Sequence, residues 1–438
     1  MALSRPDLTG AWCWFQEPRV VATQTATFVG WTEFDDQGTV GVARFDHEDM
    51  TFEVNREVGT TPALAPDDHN SPAVYVRRDG RIVVYYTAHN KPDGNRYRVS
   101  EEPDSIDSFG EERSIPDHNQ STYPMPFRLA DPETLFYFYR DGPDDGSPST
   151  FYFYRSRDDG ETWSERERLF QIEGDDYSGY VKVAASDERL DICYSRHPRP
   201  APLGKCDVRH FYYDGADDQF RDSHGNPIET PIREEEMTKL FDAEDRGERG
   251  WIWDVMTDGA EPAIVFSSFT DGDEADQRYY YAKFADSSWT VSEVVETDHV
   301  YATYTEDGVT EQEYAPGVSL GHLQGDDVLY LSRGPKSRED KQNGLDVERW
   351  RVGDDYETFE RDRVVERGTD SNQFRPVAPR SVGTEERDSP IRAVWMCGQS
   401  RAPYNYHDVE ETLQLKAEIE TANGRETVRM DEWESFER

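Results

Sequence analysis

Short β-type runs come in pairs along the whole chain. Thr27–Phe34 is followed by Thr39–Phe45, Ala73–Arg77 by Arg81–Thr87, Phe127–Leu129 by Thr134–Arg140, and Val181–Ala185 by Leu190–Ser195. Further runs follow at Thr150–Arg155, Val208–Tyr213, Trp251–Met256, Ala263–Ser268, Arg278–Phe284, Ser288–Glu293, Val328–Ser332 and Asp346–Val352. The last are Arg392–Cys397, Thr412–Glu420 and Glu426–Glu432. They are rich in Val, Tyr, Phe and Thr, and turn residues such as Arg78-Asp79-Gly80 and Asp214-Gly215 separate them. Helical periodicity is scarce, and Arg233–Phe241 is the best short helix candidate. So many hairpins at near-regular spacing predict an all-β array. A single β-propeller over residues 1–438 is the simplest form. Four-stranded blades of about 60 residues would give roughly seven, with six blades and then a pair of β-sandwiches as alternatives.

One turn is explicit as a motif. Ser156-Arg157-Asp158-Asp159-Gly160-Glu161-Thr162-Trp163 matches the Asp-box pattern Ser-x-Asp-x-Gly-x-Thr-Trp, a hairpin turn with a structural role. Val352 to Phe359 reads as a degraded second copy.

Charge narrows the function. The chain carries 91 Asp+Glu against 48 Lys+Arg, a formal net charge of −43, and only 8 of its 48 bases are Lys. Such a surface repels phosphates and anionic lipid, so nucleic-acid and membrane partners are not expected. The acids run from Asp7 to Glu437 with no acidic tail, the pattern of a surface adapted to strong salt. At molar salt the Debye length is about 3 Å, which screens the self-repulsion. No apolar run of membrane-spanning length and no secretory signal are read, so a cytoplasmic location and a monomer are expected. Four cysteines, Cys13, Cys193, Cys206 and Cys397, are too scattered for a disulfide framework.

Two constellations carry chemistry. In Asp67-Asp68-His69-Asn70-Ser71-Pro72 the chain enters a hairpin whose return strand ends at Thr87-Ala88-His89-Asn90, so His69 and His89 should meet at one rim. Paired imidazoles can carry protons, donate hydrogen bonds or ligate a metal. Likewise Tyr123 enters and Arg140 leaves the next hairpin. A guanidinium suits a carboxylate, and a Tyr beside it can serve as base and then acid. The bland alternative is a pair of hydrogen-bonded surface histidines for the first and packing of a strand-end Tyr for the second.

These segments resemble a known family. Trp12-Cys13-Trp14-Phe15-Gln16-Glu17-Pro18-Arg19, the Asp67–Pro72 segment, His89, Tyr123-Pro124-Met125-Pro126, Leu135–Arg140, Tyr180-Val181-Lys182 and His197-Pro198 all contribute. So do Val328–Arg333, Phe374-Arg375-Pro376-Val377 and Val394–Gly398. In that order and spacing they are similar to the BNR-repeat (BNR_4-like) group, which includes the propeller-type ulvan lyases of polysaccharide lyase families 24 and 25. The resemblance implies a seven-bladed propeller that cleaves uronate-containing polysaccharide by β-elimination. It also implies that His69 and His89 are catalytic-site histidines, Tyr123 the base and acid, and Arg140 the group that neutralises the uronate carboxylate. Arg19, Asn70, Tyr180 and Arg375 are further candidate substrate contacts; a structural ion pair is the alternative for the two arginines.

His197, Cys206, His210 and His224 offer nitrogen and sulfur ligands suited to a structural Zn2+, with Cys397 as another option for the fourth. Related lyases carry a structural zinc; against this stands a free Cys with surface histidines. Acid pairs such as Asp67-Asp68, Asp144-Asp145 and Asp175-Asp176 could hold Ca2+, but a solvated acidic face explains them. A lyase acting on a uronate-containing oligo- or polysaccharide is thus the leading reading. A sialidase-like glycoside hydrolase and a non-catalytic glycan-binding propeller are the alternatives.

Overall fold

Ala73–Val76 pairs antiparallel with Ile82–Tyr86, placing Val76 opposite Ile82 and Ala73 opposite Tyr85. Between them Gly80 adopts φ +82°, a left-handed turn that a β-carbon would strain. The same strand–turn–strand unit repeats throughout. The computed structural model describes residues 10–33, 35, 37–61, 67–89, 94–115, 120–142, 149–172, 178–198, 201–257 and 259–297. It continues through 317–334, 344–368, 371–381, 389–398, 414–421 and 424–430. Asp144-Asp145 and Asp175-Asp176 lie outside these residues.

The strands form seven sheets, numbered here as blades 1–7 in chain order. Their first strands are Val20–Ala22, Ala73–Val76, Thr122–Leu129, Gly179–Ala185, Glu248–Met256, Val318–Leu323 and Asn372–Val377. Each blade then winds outward, each strand hydrogen-bonded to the one before, except that in blade 4 Thr238–Phe241 pairs back with Val208–Asp214. First strands of successive blades contact one another, and after blade 7 Arg380–Ser381 pairs in parallel with Val21–Ala22. That pairing closes a seven-bladed β-propeller. Closure removes the open sheet edges that an array of strands would otherwise expose.

Alternation within the strands supplies the packing between blades. Val74, Ile82 and Val84 of blade 2 bury against Phe28, Val40 and Val42 of blade 1. Tyr85 and Tyr97 on the other face meet Leu135, Tyr137 and Tyr139 of blade 3. The abundance of aromatics is thereby spent on wedge-filling between sheets, where large flat side chains cover much area.

Arg233–Phe241 is not a helix. Glu234–Glu236 forms a single 3-10 turn and Thr238–Phe241 a strand paired to Val208–His210. Tertiary pairing overrides helix propensity here: Phe241 is buried, and Glu234 turns inward to Arg196 and Tyr194. A one-turn helix follows at Ala243–Arg246, capped by Asp242 and by Gly247 at φ +68°. Among the described residues no helix is long and apolar enough to cross a membrane.

The Ser156–Trp163 turn ties blade 3 to blade 2. Asp158 accepts from Thr162 N and Oγ1, Gly160 N donates to Ser156 Oγ, and Trp163 packs edge-on against Tyr137 and Tyr154. Tyr75 of blade 2 donates to Asp159. In the weaker copy, Asp355 accepts from Thr358 in the same manner.

Ala11 to Arg19 precede blade 1 and run among the first strands of the ring. Ala11 bridges to Thr32 of blade 1, and Trp12 Nε1 donates to Arg375 O of blade 7. Trp14 Nε1 donates to Ile252 O and its ring stacks on Trp253 of blade 5 at 4.3 Å. Phe15 packs on Tyr123 and Tyr180, and Gln16 donates to His69 O. Trp12 to Gln16 are at most 1% exposed. This segment plugs the ring and forms the floor of the candidate site.

Candidate functional site

Blade 2 holds the two histidines. Asp67 caps the 3-10 turn Asp68–Asn70, and its Oδ1 accepts from His69 N at 2.9 Å. His89 follows the second strand of the blade. Its backbone N–H donates to Asn70 Oδ1 at 2.8 Å, tying the two ends of the hairpin together. The rings of His69 and His89 consequently stack at 4.3 Å. Asn70 thus acts from within the blade, fully buried.

Blade 3 supplies Tyr123 and Arg140. Thr122 pairs with Arg140, and a β-bulge between Phe138 and Arg140 re-aims the end of the hairpin. Tyr123 sits at φ 62°, immediately before Pro124. Arg375, in the first strand of blade 7, also has a positive φ, 45°, before a proline, Pro376, and lies beside a second register shift. Two non-glycine residues in the left-handed region, each before a proline, hold backbone strain of the sort that clusters at functional sites.

The four side chains expected to share a rim do meet. The Arg140 guanidinium lies 4.6 Å over the Tyr123 ring, and its Nη2 lies 3.4 Å from His89 Nε2. Arg140 Nη1 donates to Tyr180 OH at 2.9 Å, which brings blade 4 into the cluster. The His69 and Tyr123 rings are 5.5 Å apart. Tyr123 is 1% exposed and Arg140 5%, while the His89 side chain is 15% exposed.

Two aspartates orient the imidazoles. His69 Nδ1 lies 2.6 Å from Asp68 Oδ1 and 3.1 Å from Asp67 Oδ1, and His89 Nδ1 lies 2.8 Å from Asp67 Oδ2. Burial opposes a charge on His69, yet Cys13, Asp68 and Asp67 outweigh it and hold its pKa well above 6.5. His89 goes the other way: burial, followed by the charge on His69, pushes it down to about 4. Asp67 is held below the usual carboxylate range; burial opposes this, and His69 and His89 override it. At neutral pH the pair therefore consists of one imidazolium and one neutral imidazole, the latter donating from Nδ1 to Asp67 and presenting Nε2 on the Arg140 side.

Arg375 reaches this cluster through Asp68, whose Oδ2 accepts from its Nη1 at 2.6 Å; Nη1 also donates to Trp12 O. Arg19 pairs with Glu17 at 2.7 Å, and Lys182 with the same carboxylate at 2.5 Å. Both arginines thus anchor the plug through buried ion pairs.

The expected zinc group does not assemble. His210 is fully buried in blade 4 with Nδ1 2.8 Å from Ser223 Oγ and Nε2 3.0 Å from Asp191 Oδ1. His224 sits on an exposed turn with its ring near Phe284. His197 packs against Tyr180 and Trp251. Cys206 Sγ donates to Pro198 O and Pro202 O at 3.5 Å, and burial pushes its thiol up to about 11. Close sequence spacing fails here because successive residues of a strand point to opposite faces and the turns carry the others away. Cys397 is buried in blade 7. Among the described residues, the one group offering three metal-type ligand atoms within 4.8 Å of one another is Asp67, His69 and His89.

Sequence reasoning passed over Asp67 and Asp68 as orienting groups and the Glu17–Lys182 anchor. Adjacency of the aspartates to His69 was the available signal. The Lys182 contact, 165 residues away from Glu17, left none.

No curated protein matches the chain by sequence. Solved structures do match it. A polysaccharide lyase described as a PL25 ulvan lyase superposes with a TM-score of 0.70 at 13% identity over 93% of each chain. The same type of enzyme bound to -[GlcA(1-4)Rha3S]- gives 0.69, also at 13% identity over 93% of each chain. Polysaccharide lyase Uly1 gives 0.57 at 13% identity, over 95% of this chain and 90% of that one. At such identities the likeness is one of fold. A family profile covers residues 26–297, more than half of the chain, and on that match the protein belongs to the BNR repeat-containing family (BNR_4).

Proposed function

We propose that the protein is a polysaccharide lyase that cleaves uronate-containing glycans by β-elimination. The observation that carries this reading is the convergence of His69, His89, Tyr123 and Arg140 in one cluster. Elimination asks for three things: a cation on the uronate carboxylate, a base for the C5 proton and an acid for O4. Arg140 and the His69 imidazolium supply the positive charge. Tyr123 passes its phenolic proton to His89 Nε2 and, as phenolate, takes the C5 proton; the C4–O4 bond breaks with its electron pair going to oxygen, and a C4–C5 double bond forms. The same phenol then gives its proton to O4, and His89 returns the proton it held to the phenolate. No nucleophile or redox group is required. The ligand named for the matched ulvan lyase contains a uronate, in keeping with this substrate class.

A chain of net charge −43 would repel a polyanionic substrate at long range in dilute buffer. In strong salt that repulsion is screened within about 3 Å, whereas the contact between a carboxylate and a buried guanidinium survives.

The test is a screen of uronate polymers in molar salt. Products that absorb in the far ultraviolet support a lyase. New reducing ends without that absorbance point to a hydrolase, and saturable binding with neither signal points to a glycan-binding propeller.

A further inference from the structure

At one end of blade 2 the chain leaves a cavity of about 250 Å3. Arg77, Arg81 and Arg113 line it together with Glu101, Glu111 and Glu161, the last reaching over from the Ser156–Trp163 turn of blade 3. We propose that this cavity is an accessory site for one neutral sugar unit of a glycan. Ala73–Val76 runs from the His69 end of the blade to Arg77, and Ile82–Tyr86 returns from Arg81 to His89. The cavity therefore lies a strand's length from the two histidines and shares no residue with their cluster. The inference goes beyond the lyase reading and does not rest on it.

The lining presents donors and acceptors that are already held in place. Glu161 Oε1 accepts from Arg77 Nη1 at 2.5 Å and Oε2 from Arg113 Nη1 at 3.0 Å, a fork that spans the boundary between blades 2 and 3. The hydrogen bond from Arg77 holds the Glu161 carboxyl below its usual range, so the fork stays charged at neutral pH. Arg81 keeps its donors: among the described residues its guanidinium makes no hydrogen bond, and its Nε lies 3.8 Å from Asp79 Oδ2. A hydroxyl both donates and accepts, so it can bridge a guanidinium and a carboxylate, and neighbouring hydroxyls of a sugar ring do so at two points. Hydrogen bonds with an ionised partner are roughly twice as strong as neutral ones. The charge balance selects a neutral ligand. Three arginines face three glutamates, so an anion would meet as many like charges as opposite ones. Molar salt screens what attraction is left, whereas the hydrogen bonds of an uncharged sugar survive it. Val99 adds apolar surface for the C–H groups of a ring. The volume falls just under the range of about 300–1,000 Å3 usual for larger ligands and suits a single ring.

Gly110 provides a steric test. It lines the cavity outside the left-handed region, and a β-carbon there would meet only Val99 O, at 3.6 Å. Gly110→Leu thus fills open space without backbone strain. The full chain in molar KCl is titrated with D-glucose, D-galactose, D-xylose and L-rhamnose, and with D-glucuronate as the anionic probe, by saturation-transfer NMR. Saturable binding of at least one neutral sugar is expected, weakened at least tenfold by Gly110→Leu and by Arg113→Gln and unchanged in Tyr123→Phe. The Arg113 side chain is 50% exposed, so its variant tests the site even if Gly110→Leu disturbs the fold, which circular dichroism reports. Failure of every neutral sugar to bind, tighter binding of D-glucuronate at this site, undiminished binding by either folded variant, or loss in Tyr123→Phe would each overturn the proposal. Binding is read without turnover, so a chain with no lyase activity would still decide it.

Discussion

The imidazoles of His69 and His89 lie face to face, with 8° between their planes, and both aim Nδ1 at the single carboxylate of Asp67. One carboxylate cannot serve two imidazolium ions packed this closely without repulsion between them, so the pair splits into a charged and a neutral member. Blade 2 thereby sets proton donor and proton acceptor side by side within one hairpin.

If Tyr123 carries the proton, Tyr123→Phe removes the oxygen and keeps the ring that packs on Phe15 and under Arg140. Formation of unsaturated product should fall by roughly 10²–10⁴-fold. The thermal midpoint in molar salt should stay within a few degrees. Retention of wild-type elimination rates would remove Tyr123 from the mechanism.

The split titration makes stability depend on pH in two opposing ways. The folded-state pKa of His89 is lowered to about 4 from 6.5, so between those values the unfolded chain takes up a proton that the native fold refuses. Its contribution is full above about pH 6.5 and is lost as pH falls toward 4. His69, raised well above 6.5, contributes fully below that value and loses its contribution as pH rises through the raised one. His89→Gln should therefore gain on the wild type as pH drops from 7 to 4 in denaturant titrations. A constant difference across that range would show that His89 is not depressed.

The plug should be as costly to disturb as any core element. Trp14 is 1% exposed, stacked on Trp253 and hydrogen-bonded to Ile252 O. Trp14→Ala should destabilise by about 3–5 kcal/mol, the usual range for a fully buried aromatic. Equilibrium unfolding in urea at constant salt measures this, and a loss below about 1 kcal/mol would mean that the plug is dispensable.

Dialysis from molar salt into dilute buffer should unfold the protein, because 91 acids against 48 bases repel one another once the screening is lost. Trp12, Trp14, Trp31, Trp251, Trp253 and Trp395 are fully buried, so unfolding should appear as a large red shift in fluorescence. An unshifted spectrum at low salt would count against salt adaptation.

Local rules settle a good deal of this molecule. Alternating apolar residues and turn signals such as Arg78-Asp79-Gly80 mark the hairpins, and a hairpin brings its own two ends together, which is why His69 with His89 and Tyr123 with Arg140 could be paired from the chain alone. Relations between hairpins follow no such rule. The approach of Arg140 to His89 and Tyr180, the path of Trp12–Glu17 through the ring, and the dispersal of His197, Cys206, His210 and His224 depend on how seven twisted sheets stack and close. The inward turn of Glu234 and the strand at Thr238–Phe241 likewise come from neighbours distant in sequence. Turn geometry is encoded within a few residues, whereas the angle between blades is set by the summed volume of side chains contributed from both, and only the closed ring determines it.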